Sequence, residues 1–163
     1  NSTEMSSVGF QKAKRLLLQD EGLRRVRSDC GTGKVVMAAV GQTTIGIGHN
    51  LEAHPLSNEV IDLILKEDLA RAETSAAIVL DPEIFSTLTE NRKLGLINLA
   101  FNLGEAGLRR FDRMISAIRL SDWPKVEKEL RSSLWAKQID PRLTDNGRDD
   151  RVVSLLAHDT YIY

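Results

Sequence analysis

Apolar positions recur with a helical period from Ser7 to Glu21. Val8, Lys12 and Leu16 share one side, and Leu17 and Leu18 widen the stripe into a core-facing band. Gly22 is a natural stop, which places Glu21 in the last turn. The pattern changes between residues 25 and 49. Val26, Val35, Val36, Val40, Ile45 and Ile47 are β-branched, and Gly31, Gly33, Gly41, Gly46 and Gly48 punctuate them. Two or three short strands with tight turns are predicted there. Gly46 and Gly48 fall on one face of a strand. Side-chain packing is forgone at such positions for a close approach to the backbone, or for a bulge or bend.

The rest of the chain reads as helix. Ser57 is an N-cap candidate and Glu59 suits the positive end of the helix dipole. The helix that follows runs to about Ala77, with Ile61, Leu65, Leu69, Ala72 and Ala76 as its buried stripe. Its length, about 30 Å, suits a connector between two lobes. Asp81-Pro82 opens a short helix with cap and first-turn proline in the preferred order. Thr89 caps the next, where Leu94, Leu96, Ile97, Leu99, Ala100, Phe101 and Leu103 are apolar nearly all round. That pattern predicts a central core helix, ended by Gly104. Phe111, Met114, Ile115 and Ile118 give a further amphipathic set. Asp122-Trp123-Pro124 restarts the chain, and Val126, Leu130 and Leu134 continue four apart. A polar loop with Pro141, Asn146 and Gly147 leads into a last helix with Val152, Val153, Leu155 and Leu156.

These elements predict an α+β fold in one domain spanning residues 1–163. A small β-lobe at about 25–56 and a larger helical lobe at about 78–163 are joined by the long helix. The N-terminal helix packs on the helical lobe, and a cleft lies between the lobes. A chain of 163 residues buries a core of useful size without help. One cysteine, Cys30, rules out an internal disulfide. A net charge of −1 argues against nucleic acid as a partner, which calls for a basic excess. No apolar run is long enough to span a membrane, and no signal peptide is visible. The chain opens on Asn1 rather than Met, so a piece of a longer protein is expected.

Carboxylates at the edge of a cleft suggest glycosidic bond cleavage. That reaction needs a proton for the leaving oxygen and help for an oxocarbenium-like centre, usually from two carboxyl groups across the bond. Glu21 suits the acid, Asp29 the second group, and the Thr44 hydroxyl can hold a water. Two carboxylates at this spacing carry little signal alone, because solvated helix-end glutamates are common.

The surrounding residues sharpen the reading. Glu21-Gly22-Leu23-Arg24 followed by Thr44-Ile45-Gly46-Ile47-Gly48-His49 resembles the catalytic signature of the T-even phage lysozyme family. Leu96 to Glu105 resembles that family's central helix. Trp123, Ser133-Leu134-Trp135, Arg148 and Arg151 also fall in its order, so the resemblance covers about residues 12–157. It implies a two-lobed α+β fold and hydrolysis of the β-1,4 bond between N-acetylmuramic acid and N-acetylglucosamine. It also implies inversion at the anomeric carbon, peptidoglycan glycan strands as partner, a monomeric domain, and neither metal nor cofactor.

By the same resemblance Glu21 matches the general acid and Thr44 the threonine that positions water. The second catalytic position is open between two residues. Strict spacing from Glu21 lands on Cys30, whereas chemistry favours Asp29, which is ionised at neutral pH while a thiol with a pKa of about 8.5 mostly is not. The segment between Cys30 and Thr44 is longer than the family's. His49 and Asp68 match a structural ion pair. Arg148 matches an arginine near the catalytic glutamate, and Arg151 one that pairs with Asp20. A cation beside Glu21 favours the ionised form, so burial has to oppose it. Asn98 and Asn102 lie four apart on one helix face, placed either to bond sugar amide and hydroxyl groups or to close a buried polar network. Trp123 and Trp135 are expected in the core rather than as sugar platforms.

Two rival readings remain. A lytic transglycosylase leaves a 1,6-anhydro product without adding water. A catalytically inactive wall-binding module of a phage particle keeps the fold alone. Bacterial walls are anionic and reward a basic enzyme, so the near-neutral charge favours a domain tethered in a virion, where attachment supplies effective concentration. The expected site of action is the cell wall, in the periplasm; the alternative is an endolysin made in the host cytoplasm.

Overall fold

The computed structural model describes residues 6–21, 36–38, 42–45, 49–51, 53–139 and 147–162; of residues 17–21 and of the strands it describes the backbone alone. Its elements are α1 (Ser7–Glu21), β1 (Val36–Ala38), β2 (Gln42–Ile45), β3 (His49–Asn50), α2 (Asn58–Leu80), α3 (Pro82–Thr87), α4 (Glu90–Arg109), α5 (Asp112–Arg119), α6 (Trp123–Arg131), α7 (Leu134–Ile139) and α8 (Arg148–Leu156).

Helix α4 forms the centre. Every residue from Leu94 to Ala100 is buried, as a segment apolar on all sides must be. It packs against α2 on one side and α8 on another, and α1 also lies against it. Each fully buried leucine or isoleucine here contributes on the order of 2 kcal/mol relative to exposure. Gly95 sets how closely α4 and α8 approach. A Cβ there would stand 2.9 Å from the Leu156 Cβ and 3.2 Å from its backbone nitrogen. Helix α2 is 23 residues long, three beyond the expected end at Ala77. Ser57 caps it, accepting from the Val60 amide. Leu69, Ala72 and Ala76 are buried, whereas the expected stripe positions Ile61 and Leu65 are only half-buried. At its C-terminus the Arg119 Nε donates to the Leu80 carbonyl at 2.9 Å and Nη2 to that of Val79 at 3.2 Å, satisfying two end carbonyls.

The α+β expectation is corrected. The described residues are overwhelmingly helical, and their extended backbone amounts to strands of three, four and two residues. These pair as one antiparallel sheet in the order β1-β2-β3. Val36 faces Thr44, and Thr44 in turn faces Asn50. Strands this short make a ribbon, not a layer with its own core, so the architecture belongs with the all-α class. The β-branched residues and glycines predicted extended backbone locally. Local preference of that kind extends the backbone over a few residues without fixing how long a strand it makes.

Two smaller expectations also change. Gly104 was expected to end the central helix. It breaks the helix with φ 69° and ψ 175°, after which the chain coils again to Arg109. Leu134 was expected to extend the buried stripe of Val126 and Leu130. Instead α6 ends at Arg131, and Leu134 opens α7 at 74% exposure. Ser133 explains the change of phase. Its hydroxyl donates to the Leu130 carbonyl at 2.6 Å and accepts from the Ala136 amide at 3.2 Å, closing one helix and capping the next.

Candidate active site

Helix α1 carries Glu21 as its last residue, with no basic residue in the final turn. Its described buried residues are small or apolar. Gly9, Ala13 and Leu16 are buried, Ala13 at 4% and Leu16 at 2% exposure. Strand β2 carries Thr44 in the middle of the sheet, between Val36 and Asn50. Strand β3 carries His49 opposite Ile45. The side chains of Asp20, Glu21, Thr44 and His49 lie outside the described residues, as do Asp29, Cys30, Gly46 and Gly48 altogether.

The two asparagines of α4 hold different partners. Asn98 is 4% exposed, and its Oδ1 accepts from both Nε and Nη2 of Arg148, each at 3.2 Å. Asn102, one turn on, is exposed, and its Oδ1 accepts from the Trp135 Nε1 at 2.9 Å. Thus α4 ties down the first residue of α8 with one asparagine and the indole of α7 with the other. Trp135 lies in the core at 5% exposure. Trp123 is half-buried beneath the Arg92 guanidinium, 3.6 Å from its ring centre.

Arg148, Asp149 and Arg151 are buried at the start of α8, at 9%, 5% and 6% exposure. Desolvation makes the Arg151 guanidinium easier to deprotonate than an ordinary arginine, although it stays charged at neutral pH. Asp68, expected opposite His49, pairs with its helix neighbour Arg71. The pairing of Arg151 with Asp20 and the approach of Arg148 to Glu21 depend on side chains outside the described residues. Local spacing did not reveal the Asn98–Arg148 bond, which joins residues 50 apart in the chain. Among the described residues no three His, Cys, Asp or Glu side chains are placed to hold a metal ion. No described helix is long and apolar enough to cross a membrane.

The order of these parts along the chain is that of a known family, whose model, phage lysozyme, matches residues 19–149. The chain belongs to the phage lysozyme family. Three relatives illustrate the range. The chain is 28% identical over 167 residues to the pre-baseplate central spike protein Gp5 of Enterobacteria phage T4, a match covering 86% of this chain and 27% of that protein. It is 24% identical over 147 residues to probable T4-type lysozyme 2 of Dictyostelium discoideum, covering 74% of this chain and 83% of that one. Against probable T4-type lysozyme 1 of the same organism the identity is 28% over 120 residues, covering 70% and 67%. The chain therefore spans about a quarter of the spike protein and most of each of the other two. The phage lysozyme match takes in Glu21, Asp29, Cys30, Thr44, Asn98, Asn102 and Arg148, and stops short of Arg151.

Proposed function

We propose that this phage lysozyme domain hydrolyses the β-1,4 bond between N-acetylmuramic acid and N-acetylglucosamine in bacterial peptidoglycan, with Glu21 as general acid. The family match through Glu21 and Thr44 is the observation that carries this reading. The position of Glu21 at the C-terminal end of α1 supports it, because the negative end of a helix favours a carboxyl that keeps its proton. In the reaction the Glu21 carboxyl protonates the glycosidic oxygen and the bond from the anomeric carbon to that oxygen breaks. A water held by Thr44 attacks the same carbon from the opposite face. Its proton passes to Asp29, or to solvent if Cys30 fills that position, and the configuration inverts.

The remaining assignments follow the same reading. His49 with Asp68, and Arg151 with Asp20, brace the site, and Arg148 lies near Glu21. Asn102 offers its Nδ2 to a sugar, since Trp135 occupies its Oδ1. The burial of Asn98 and its bonds to Arg148 support a network role over a sugar contact. Similarity to a phage baseplate spike protein favours a domain carried in a virion and acting on the cell wall.

The test is Glu21→Gln on purified peptidoglycan. Folded protein that releases no reducing ends is expected, and full activity would remove Glu21 from the mechanism. Mass spectrometry of the fragments from the parent separates hydrolysis from transglycosylation by one water. Wall binding without turnover by the parent marks an inactive module.

A further inference from the structure

The segment of residues 158–162, which follows α8, makes contacts with α6, α4 and α1 in turn. Its start is held to α6, where the His158 Nε2 meets the Glu127 Oε2 at 2.6 Å. Its middle is fixed to the N-terminal end of α4. There Thr89 Oγ1 donates to Asp159 Oδ1 at 2.6 Å, and Asn91 Nδ2 donates to the Asp159 carbonyl at 2.9 Å. Its end reaches α1, where the Tyr161 hydroxyl donates to the Lys12 carbonyl at 3.2 Å. The Lys12 ammonium stands 5.7 Å from the centre of the same ring and 3.6 Å from Glu90, which also accepts from the Ser6 hydroxyl.

We propose that Tyr161 is a positioning residue for Glu21: it fixes the axis of α1 through the Lys12 carbonyl, and so the backbone position of the helix's last residue. This rests on the reading of Glu21 as general acid. The geometry is that of a lever. With α1 held about Lys12, Glu21 lies about 13.5 Å further along at 1.5 Å per residue. A tilt of about 5° then displaces it by roughly 1 Å, and a displacement of that size can cost up to about a hundredfold in rate. Among the described side chains of α1, Ala13 and Leu16 are buried and Phe10 packs partly against the core. Rotation about that contact is resisted by the polar ties at Ser6, Lys12 and Lys14, the last paired with Asp62 of α2 at 2.6 Å. The Tyr161 bond grips α1 by its backbone rather than through a flexible side chain.

Steady-state kinetics on soluble glycan strands at 20 °C, well below unfolding, test this. Tyr161→Phe keeps the ring and loses the hydroxyl, whereas Tyr161→Ala loses both. The expected result is a fall in kcat of about threefold to tenfold for the first and more for the second, with KM within a factor of about two. Arg119→Ala, which loosens the end of α2 instead, is expected to lower the Tm and leave kcat unchanged. An unchanged kcat in Tyr161→Phe, beside an inactive Glu21→Gln, would overturn the proposal, and that variant decides alone should Tyr161→Ala fail to fold. If Glu21→Gln retains full activity, the reading of Glu21 fails instead.

Discussion

Asn98 and Arg148 are joined by two hydrogen bonds to one oxygen, from Nε and Nη2 at 3.2 Å each. Both residues are buried, so the guanidinium depends on protein groups where it has lost water. Asn98→Ala removes an acceptor from a buried charge. A destabilisation of about 2–3 kcal/mol is expected, read as a fall in Tm of roughly 5–10 °C for a domain of this size. Asn98→Asp restores an acceptor and is expected to recover most of that loss in the same melting experiment.

Gly95 and Gly104 separate two reasons for a glycine within one helix. At Gly104 nothing lies within 4 Å of an added Cβ, but the backbone stands at φ 69° and ψ 175°, a region essentially reserved for glycine. Gly104→Ala is expected to cost about 1–3 kcal/mol as pure backbone strain. At Gly95 the backbone is ordinary, and the obstacle is the Leu156 main chain at 3.2–3.3 Å. Gly95→Ala is expected to cost about 1–3 kcal/mol through forced separation of α4 and α8. Urea denaturation measures both losses. Protection of α8 amides against hydrogen exchange tells them apart, because only Gly95→Ala should lower it by more than the global loss measured in urea.

Glu73 of α2 carries a carboxyl whose burial pushes its proton affinity above the ordinary value, opposed in smaller part by the Lys93 charge. A raised folded value means that the native state holds this proton more tightly than the unfolded chain. Stability is therefore lost as pH rises from the ordinary carboxylate range through the folded value. Glu73→Gln is expected to raise the Tm at pH 7 and to make no difference near pH 3. Melting curves across that range decide it, and a loss at pH 7 would show that the attraction of Lys93 outweighs desolvation.

Glu127 has the opposite sign. Its bond to Arg131, then its bond to His158, holds its carboxyl below the ordinary range. The contribution is present above the unfolded value of about 4.3 and is lost as pH falls through the lower folded value. Arg131 also reaches Asp150 at 2.8 Å, so the network ties α6 to α8. Glu127→Gln is expected to lower the Tm at pH 6, with the difference from the parent shrinking as pH falls below about 4. Parallel Tm–pH curves for the two proteins would contradict the sign.

Several elements were legible because their causes are local. Ser57, Asp81, Thr89 and Asp122 each accept an amide two or three residues on, so four helix starts could be read from cap chemistry. The all-round apolar run from Leu94 to Ala100 announced a buried helix, and the central helix is there. Leu134 misled because a four-residue repeat carries no notice of a phase change. That depended on which groups the Ser133 hydroxyl would bond.

By itself the sequence determined where most helices lie, which one is central, and the order of motifs that marks a phage lysozyme, because caps, periodicity and motif order are written within a few residues. Only the tertiary structure decided that the described strands pair as one short antiparallel sheet in the order β1-β2-β3. It alone decided that Asn98 serves Arg148, that Asn102 serves Trp135, and that Tyr161 closes onto Lys12. Those partners lie 50, 33 and 149 residues apart, and no local pattern specifies a contact that forms only once helices have packed.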